Sequence, residues 1–383
     1  MMLAAILSAL FLSSCSSETI FPKGFLKVDG SDIVDAEGNP VWLKGIAHGN
    51  DVWAYPTEPV WTSQDESSYE DISSLGFNCV RFYMNYQVFE DDENPYNYKE
   101  SGFDWLDKNV KWAKKYGIGI ILNMHVPQGG YQSQGGGTAM WTDEEAQSRL
   151  IALWQEFAKR YADEETVIGY GILNEPIVPQ NGSTAESVDQ CRELMQRITN
   201  AIREYDENHI IFAERVCAVQ NTTTGVSDWN IQISNLEFLL DDPNVVYEFH
   251  CYDPYSFTHQ GMDWAGTLGT ICAYPSETDR TLTKEYLEQR ILQNIQFYQD
   301  NNVPVYMGEF GAAVTACRER LGGEQWVADM IDICKEYGIH FTYHTYHETT
   351  FGLYQNSARE LPAQRNDKLA EVFKEKLLPD GGE

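Results

Sequence analysis

The amino-acid sequence predicts an α/β fold, a single (β/α)8 barrel, because two kinds of segment alternate along the chain. Short apolar runs of strand length recur eight times, and amphipathic stretches with apolar residues at helical spacing separate most of them. Runs that are apolar on both faces are typical of parallel strands covered by helices. Gly76, Gly117 and Gly338 each follow an amphipathic stretch, where a positive φ ends a helix. The alternative, an open doubly wound sheet, would carry a glycine-rich phosphate turn after its first strand, and residues 45–49 do not form one.

The individual elements follow from the positions of these segments. The predicted strands are Val41–Ala47, Cys79–Met84, Gly119–Met124, Val167–Leu173, Ile210–Ala213, Val245–Phe249, Val305–Gly308 and His340–Tyr343. The predicted helices are Phe103–Tyr116, Asp143–Tyr161, Ser187–Tyr205, Asp228–Leu240, Lys284–Gln299 and Glu324–Tyr337. Before the first barrel strand, Phe25–Val34 and the turn Asp35–Asn39 predict a short hairpin that closes the bottom of the barrel.

Length and charge limit the classes of function. The chain has 383 residues and a net charge of −31, which argues against nucleic acid and anionic membrane surfaces as partners. A neutral substrate is favoured. We find no repeat, linker or second domain in the sequence, so residues 21–383 are predicted to form one catalytic domain that acts as a monomer. The cysteines form no C-x-x-C pair, so a zinc site has no support.

The first 20 residues are predicted to be a lipoprotein signal and tether rather than part of the fold. An apolar run from Leu3 to Leu12 has the length of a signal segment and is too short to span a bilayer. It ends in Leu12-Ser13-Ser14-Cys15, which is similar to the box where bacterial lipoproteins are cut and acylated on the cysteine. The sequence therefore predicts export to the bacterial cell envelope or surface, with the membrane contacted only through a lipid on Cys15.

Polar side chains follow six of the predicted strands. Glu175 and Glu309 each end an apolar run, where burial of a carboxylate is costly. A barrel brings the ends of its strands into one pocket. Two carboxylates in such a pocket predict the acid/base and nucleophile chemistry that cleaves glycosidic bonds. The polar residues at the strand ends are Arg81, His125, Asn174, Glu175, His250, Tyr252, Glu309, His344 and His347.

The histidines at strand ends leave a metal-dependent hydrolase as an alternative. A metal-dependent barrel of the amidohydrolase kind needs a His-x-His after its first strand, and His48 stands there alone. The paired glutamates are therefore favoured, and they need neither a metal nor an organic cofactor. The histidines concerned are His48, His125, His250, His344 and His347.

Several motifs resemble one family over nearly the whole chain after the signal segment. Asn174-Glu175-Pro176, preceded by Gly171-Ile172-Leu173, is similar to the signature of glycoside hydrolase family five, the cellulase-type retaining hydrolases. Further segments resemble other parts of that family. They are Leu43-Lys44-Gly45, Arg81, His125, His250-Cys251-Tyr252 and Gly308-Glu309-Phe310-Gly311.

The resemblance implies roles for these residues. Glu175 would be the general acid/base and Glu309 the nucleophile. Arg81 would keep Glu309 ionised, since an adjacent cation lowers the pKa of a carboxyl group. Asn174 would hold the sugar 2-hydroxyl and Tyr252 would hydrogen-bond the nucleophile. His125 and His250 would order the pocket.

The resemblance also implies a substrate class. It predicts retaining hydrolysis of a β-linked polysaccharide, with an endo-β-glucanase of the cellulase type as the first choice. A β-mannanase and an exo-acting β-glucosidase or β-1,3-glucanase of the same fold stay open. The alternative from another class is a non-catalytic surface glycan-binding lipoprotein, which is disfavoured because both glutamates are present.

One position departs from the family pattern. The family usually has a tryptophan at the end of strand eight as a platform under the sugar, and His344 occupies that position here. A sugar platform is then expected from Tyr346 or from a loop tryptophan. The loop tryptophans predicted to contact substrate are Trp53, Trp141 and Trp264.

Overall fold

The chain forms a closed barrel of eight parallel strands in chain order, which confirms the predicted fold class. The computed structural model describes residues 21, 24–49, 52, 54, 57–59, 64–133, 137–318, 321–357, 359–360 and 364–379. All eight predicted strands are present. They are β1 Lys44–His48, β2 Cys79–Asn85, β3 Gly119–Val126, β4 Val167–Gly171, β5 Ile210–Glu214, β6 Val245–His250, β7 Val305–Phe310 and β8 His340–Tyr343.

Parallel pairing brings the carboxyl ends of all eight strands to one rim, here called the mouth. Ala47 of β1 pairs with Arg81 of β2, and Phe249 of β6 pairs with Met307 of β7. An irregularity after Phe249 then sets His250 opposite Glu309. Because strand side chains alternate between two faces, this register decides which polar groups meet at the mouth.

Seven helices of nine or more residues cover the outside of the barrel in the described part of the chain. Their ends are set by local signals, such as Asp65, whose carboxylate accepts the Ser67 and Ser68 amides at the start of the first helix. Ser183 and Glu186 form a capping box on the fourth. The helices are α1 Glu66–Ser74, α2 Glu100–Lys115, α3 Glu144–Tyr161, α4 Thr184–Arg203, α5 Lys284–Asp300, α6 Gly323–Tyr337 and α7 Asp367–Leu377.

The predicted helix Asp228–Leu240 in the fifth unit is wrong. The segment instead contains the end of a short strand, Ser227–Asp228, and a 3-10 turn, Ile233–Asn235. The Asp228 carboxylate accepts the Asn230 amide at 2.9 Å. Such side-chain bonds to nearby backbone compete with a helix, so the polar residues of this stretch favour turns.

Short strands and helices surround the mouth of the barrel. A three-stranded sheet joins Ile177–Pro179, Ala218–Gln220 and Ser227–Asp228, and a hairpin pairs Glu90–Asp91 with Asn94–Tyr98. Short helices occupy Thr138–Thr142, Tyr255–Thr258 and Val314–Arg318, and a 3-10 turn spans Tyr86–Val88. These elements belong to the loops after the barrel strands and form the walls above the mouth.

The N-terminal hairpin closes the opposite end of the barrel, as predicted. Its strands are Lys27–Asp29 and Asp32–Val34, so its turn lies at residues 30–31 rather than at the predicted Asp35–Asn39. Residues 35–39 form a second turn, held by the Asp35 carboxylate, which accepts the Asn39 amide. Leu26 and Ile33 pack into a buried cluster with the first residues of the barrel strands, and this cluster keeps water out of the barrel floor.

Among the described residues, we find no helix that combines the length and the apolar character needed to cross a membrane. The predicted signal segment and Cys15 lie outside the described residues.

Candidate active site

Glu309 lies at the centre of the mouth and is almost fully buried. Its Oε1 accepts hydrogen bonds from Arg81 Nη1 at 2.7 Å and from the Tyr83 hydroxyl at 2.8 Å. Its Oε2 accepts from the Tyr252 hydroxyl at 2.9 Å. Both carboxylate oxygens therefore face donors, an arrangement that fits an ionised group held in one orientation.

Arg81 connects four of the barrel strands or their ends. Its side chain is fully buried, and Nη2 lies 2.7 Å from Glu248 Oε1 and donates to Asn174 Oδ1 at 2.9 Å. Gly308 makes room for this contact, because a Cβ at that position would lie 1.7 Å from Glu248 Oε1. The glycine before Glu309 is thus required by packing at the site.

Glu175 lies in the segment after β4 and faces Glu309. Its φ is +45°, a conformation that costs energy for any residue other than glycine. Two backbone contacts hold this conformation. The Glu175 amide donates to Glu214 Oε2 at 2.6 Å, and the neighbouring Asn174 amide donates to the Met124 carbonyl at 3.1 Å.

His250 lies between the carboxylates. Its Nδ1 is 2.9 Å from Glu175 Oε1 and 3.7 Å from Glu309 Oε2, and its Nε2 is 3.2 Å from Glu248 Oε1. Burial would lower the pKa of His250, but the carboxylates of Glu214 and Glu309 together raise it well above its usual range. The surrounding acidic groups therefore favour the protonated form of the ring, whose Nε2 also lies 3.4 Å from Arg81 Nη2.

The surroundings of Glu309 and Glu214 shift the pKa values of these two carboxyl groups in opposite directions. Burial would raise the pKa of Glu309, but the cations of His250, His344 and Arg81 hold it well below its usual range. Glu214 shows the opposite effect, because burial raises its pKa to about 8. The ionised form is thus favoured for Glu309, whereas burial makes Glu214, at the end of β5, harder to ionise than a free glutamate.

The spacing of the two candidate catalytic carboxylates is informative. Oxygens of Glu175 and Glu309 lie within 4.8 Å of each other, with His250 equally near. Retaining glycosidases hold their carboxyl groups about 5–5.5 Å apart, whereas inverting enzymes need about 6.5–9.5 Å to admit a water molecule. The arrangement can therefore support direct attack by one carboxylate on a sugar.

The same cluster has the atom types of a cation site, and its contacts argue against one. Glu309 and Glu248 already accept from the Arg81 guanidinium. Each nitrogen of His250 already lies within 3.2 Å of a carboxylate, and the acidic groups around the ring favour its protonated form, which is not a metal ligand. The donor set fits an arginine-centred hydrogen-bond network better than a metal.

The histidines at the strand ends divide into two groups. His125 and His344 join His250 at the mouth, with Nδ1 atoms 4.0 Å and 3.9 Å from the Glu309 carboxylate. His48 instead packs against Tyr69, Phe82 and Tyr346, and burial lowers its pKa to about 3. The Nδ1 of His347 faces the Asn356 carbonyl at 3.2 Å, away from Glu309.

The predicted sugar platforms need correction. Trp141 is only 3% exposed and donates to Gln132 Oε1, so it belongs to the core and offers no face to a sugar. Tyr346 is likewise buried, with its hydroxyl 3.2 Å from Asp71 Oδ2. Trp264 is 66% exposed. Trp53 lies outside the described residues.

Four polar residues of the mouth were not predicted from the sequence. They are Tyr83, Glu214, Glu248 and Glu348. A signal for three of them was present. Tyr83 stands two residues after Arg81 and Glu248 two residues before His250, so each shares a strand face with a predicted site residue. Glu214 directly follows a predicted strand, like the residues that were recognised.

A closed (β/α)8 barrel with two carboxylates at this spacing across its mouth defines a glycoside hydrolase of the barrel class. The family model of cellulase, glycosyl hydrolase family 5, matches residues 34–350, and the chain belongs to this family. This confirms the predicted resemblance.

Individual relatives agree with the family assignment. The chain is 28% identical over 332 residues to endoglucanase C of Acetivibrio thermocellus, with 80% of this chain and 90% of that protein covered. It is 26% identical over 345 residues to an endoglucanase of Paenibacillus polymyxa, with 86% and 81% covered. The solved structure of endoglucanase Cel5A from Thermotoga maritima has the same fold, with a TM-score of 0.65, 23% identity and coverage of 86% of this chain and 96% of that chain.

The buried Glu214 predicts a stability that depends on pH. Its pKa rises from 4.5 to about 8 on folding, so the stabilisation it contributes is present below pH 4.5 and is lost as the pH rises through about 8. Glu214→Gln mimics the protonated form and removes this dependence. We compare the free energy of unfolding of the variant with that of the wild type at pH 5 and at pH 8.5. The difference in favour of the variant is expected to be roughly 2–5 kcal/mol larger at pH 8.5 than at pH 5.

Urea unfolding of both proteins at the two pH values measures this gain. Glu336→Gln, at an exposed position on α6, is the matched control and should show the same difference from wild type at both pH values. An equal change at both pH values in Glu214→Gln would contradict the prediction.

Proposed function

We propose that the protein is a retaining endo-β-glucanase in which Glu309 is the nucleophile and Glu175 the general acid/base. The observation that carries the proposal is the approach of the two carboxylates to within 4.8 Å. That spacing fits a double displacement through a covalent glycosyl-enzyme, in which two inversions give net retention at the anomeric carbon.

Glu309 and Glu175 have different roles in the two steps of the proposed hydrolysis. In the first, Glu309 attacks the anomeric carbon while Glu175 gives its proton to the leaving glycosidic oxygen. In the second, Glu175 takes a proton from water, which attacks the anomeric carbon and releases Glu309. Glu309 must begin ionised, which the cations around it favour, and Glu175 must begin with the proton that it transfers.

Asn174 is suited to hold a sugar hydroxyl. Its Oδ1 is fixed by Arg81, whereas its Nδ2 is buried and has no hydrogen-bond partner among the described residues. A buried donor without a partner is costly, and a sugar hydroxyl at the mouth would satisfy it. We propose that Asn174 Nδ2 donates to the sugar 2-hydroxyl, while Tyr252, His125 and His250 hold the carboxylates in place.

The choice of a β-glucan comes from the family and the relatives. The family is the cellulase family, and two relatives found in bacteria are endoglucanases. A mouth whose charges are paired internally also suits a neutral polysaccharide. Hydrolysis of β-glucan is therefore favoured over the mannan and exo-acting alternatives, and the two glutamates disfavour a binding protein without turnover.

Replacing the carboxyl groups one at a time separates their roles. Glu309→Gln is expected to lower kcat on barley β-glucan at least about 10³-fold while leaving cellooligosaccharide binding intact, because only the attacking group is lost. Glu175→Ala is expected to lose turnover of β-glucan but to keep the first step on 4-nitrophenyl β-cellobioside, whose leaving group needs no proton. Steady-state and burst kinetics with calorimetric binding measure these effects.

The exposed variant Glu336→Gln serves again as the control and should behave as the wild type. Hydrolysis by Glu309→Gln at the wild-type rate would reject its role. Equal losses of Glu175→Ala on both substrates would reject the acid/base assignment.

The product profile tests the substrate and the stereochemistry together. We expect cleavage of barley β-glucan to release β-anomers first, because the carboxyl spacing implies retention. Viscosity should fall faster than reducing ends appear, as internal cleavage requires. Proton NMR of fresh products and viscometry measure the two properties.

Faster hydrolysis of mannan or xylan, or release of α-anomers first, would contradict this profile.

Trp264 supplies a further test of the substrate-binding surface, because it is the exposed one of the described tryptophans predicted to contact sugar. Its ring lies edge-on to His259, which in turn contacts Tyr252 beside Glu309. Trp264→Ala is expected to raise KM on the polymer and not on 4-nitrophenyl β-cellobioside.

Export and anchoring are proposed from the sequence alone. We propose that residues 1–20 direct export, that Cys15 carries the lipid and that residues 21–383 act as one monomeric catalytic domain. Native mass spectrometry of the membrane-extracted protein should show one chain that begins at an acylated Cys15, and an unprocessed N-terminus or a dimer mass would contradict this.

A further inference from the structure

His344 occupies the position where the family usually has a tryptophan, and its ring is not exposed as a platform would be. It follows β8 directly, and its amide donates to the Phe310 carbonyl at 2.8 Å, next to Glu309. The ring is 7% exposed and lies nearly parallel to the Tyr83 ring, with Tyr252 and Phe351 at its edges. A sugar cannot stack on a ring that is covered in this way.

The polar contacts of His344 form a chain that ends on the candidate nucleophile. The Tyr83 hydroxyl donates to Glu309 Oε1 at 2.8 Å and lies 2.9 Å from His344 Nδ1. On the other side of the ring, Nε2 lies 3.1 Å from Glu348 Oε2, in the loop after β8. The order is Glu348, His344, Tyr83, Glu309.

The protons of this chain can be assigned by counting donors. A tyrosine hydroxyl has one proton, and the ionised Glu309 can only accept, so Tyr83 gives its proton to Glu309. Nδ1 of His344 must then donate to the Tyr83 oxygen. Nε2 lies at ion-pair distance, 3.1 Å, from a second carboxylate, which favours a proton on that nitrogen as well, so the ring is cationic.

The rival assignment puts the proton on Glu348 and leaves His344 neutral. The contacts of Glu348 argue against it, because the Thr350 hydroxyl donates to Oε1 while His344 faces Oε2. A hydroxyl donor on one oxygen and a ring nitrogen at ion-pair distance from the other fit a carboxylate. Burial would lower the pKa of His344, but Glu309 and Glu348 together raise it above its usual value.

We infer that His344 and Glu348 form a cationic positioning pair for the nucleophile, an inference that rests on the proposed role of Glu309. Glu348 keeps the imidazole charged, the imidazolium directs the Tyr83 hydroxyl, and that hydroxyl holds one oxygen of Glu309. The pair replaces an apolar sugar contact with a third fixed cation beside the nucleophile, in addition to Arg81 and His250.

Groups from several elements set the charge state of His344. The acidic groups act to raise its pKa, and His344 in turn acts to lower the pKa of the neighbouring His125 and His259. The described titratable groups that face it are Tyr83 on β2, His125 on β3, Glu175 after β4, Tyr252 and His259 after β6, Glu309 on β7 and Glu348 after β8.

The first experiment is the pH profile of kcat/KM with 4-nitrophenyl β-cellobioside, whose acid limb reports the ionisation of the nucleophile in the free enzyme. His344→Asn places an amide N–H where Nδ1 was and removes the charge. We expect its acid limb to move to higher pH by about one unit, because loss of a cation within about 4–6 Å raises the pKa of a carboxyl group. A purely structural role for His344 would lower the rate and leave the limb in place.

The second experiment measures the protonation state of the His344 ring directly. Nitrogen-15 NMR of the histidine side chains, with the His344 signal identified by its loss in His344→Asn, should show both ring nitrogens protonated at pH 6 in the wild type. Glu348→Gln keeps the length and an acceptor and removes the charge, so we expect the pKa of His344 to fall by about one unit. Glu336→Gln, exposed on α6, should leave it unchanged.

A neutral His344 at pH 6 in the wild type, an unchanged His344 pKa in Glu348→Gln, or an unmoved acid limb in folded His344→Asn would each overturn the inference. If His344→Asn does not fold, the spectra of the wild type and of Glu348→Gln, assigned through Tyr83→Phe, decide the question. None of these results affects the proposed function. That function fails separately, if Glu309→Gln still hydrolyses β-glucan.

Discussion

The arrangement of the mouth depends on one buried guanidinium. Arg81 has no exposed surface, and it contacts Glu309 on β7, Glu248 on β6 and Asn174 after β4. Taking this charge out of water costs several kcal/mol, and only close carboxylates with good geometry offset that cost. The planar fork of arginine holds its five N–H donors in fixed directions, so one side chain can orient two carboxylates and an amide oxygen at once. The side chain thereby ties together strands that would otherwise meet only through their backbones.

A difference between two similar carboxyl groups follows from this anchor. Both oxygens of Glu309 accept hydrogen bonds, and the side chain is 5% exposed. Glu175 contacts one imidazole nitrogen through Oε1 and is 17% exposed, on a strained backbone. A carboxyl group with donors on both oxygens stays ionised, whereas one with a freer oxygen can carry a proton to a substrate. The environment, and not the residue type, separates the proposed nucleophile from the proposed acid.

Sequence reasoning predicted the barrel and most of the site, and its failures have physical causes. Strands buried on both faces leave a clear apolar signal, so all eight were found. The fifth-unit helix was wrong because local bonds such as that from Asn230 to Asp228 favour turns there. Glu214 and Glu248 stand at positions that the strand pattern offered, but the contacts that assign them to the site come from residues far away in the sequence. Trp141 was misplaced because composition does not say which side of a loop faces the core.

The buried charges of the mouth nearly cancel, and this explains why so many can coexist there. Arg81, His250 and the imidazolium inferred for His344 face the carboxylates of Glu248, Glu309 and Glu348, while burial disfavours ionisation of Glu214. A neutral sugar can enter such a site without adding a charge that lacks a partner. Removal of one member, however, leaves another buried and unpaired, which destabilises the fold as well as the reaction. Loss of activity alone therefore cannot assign a role to any one of these residues, whereas a shift in the ionisation of a named neighbour can.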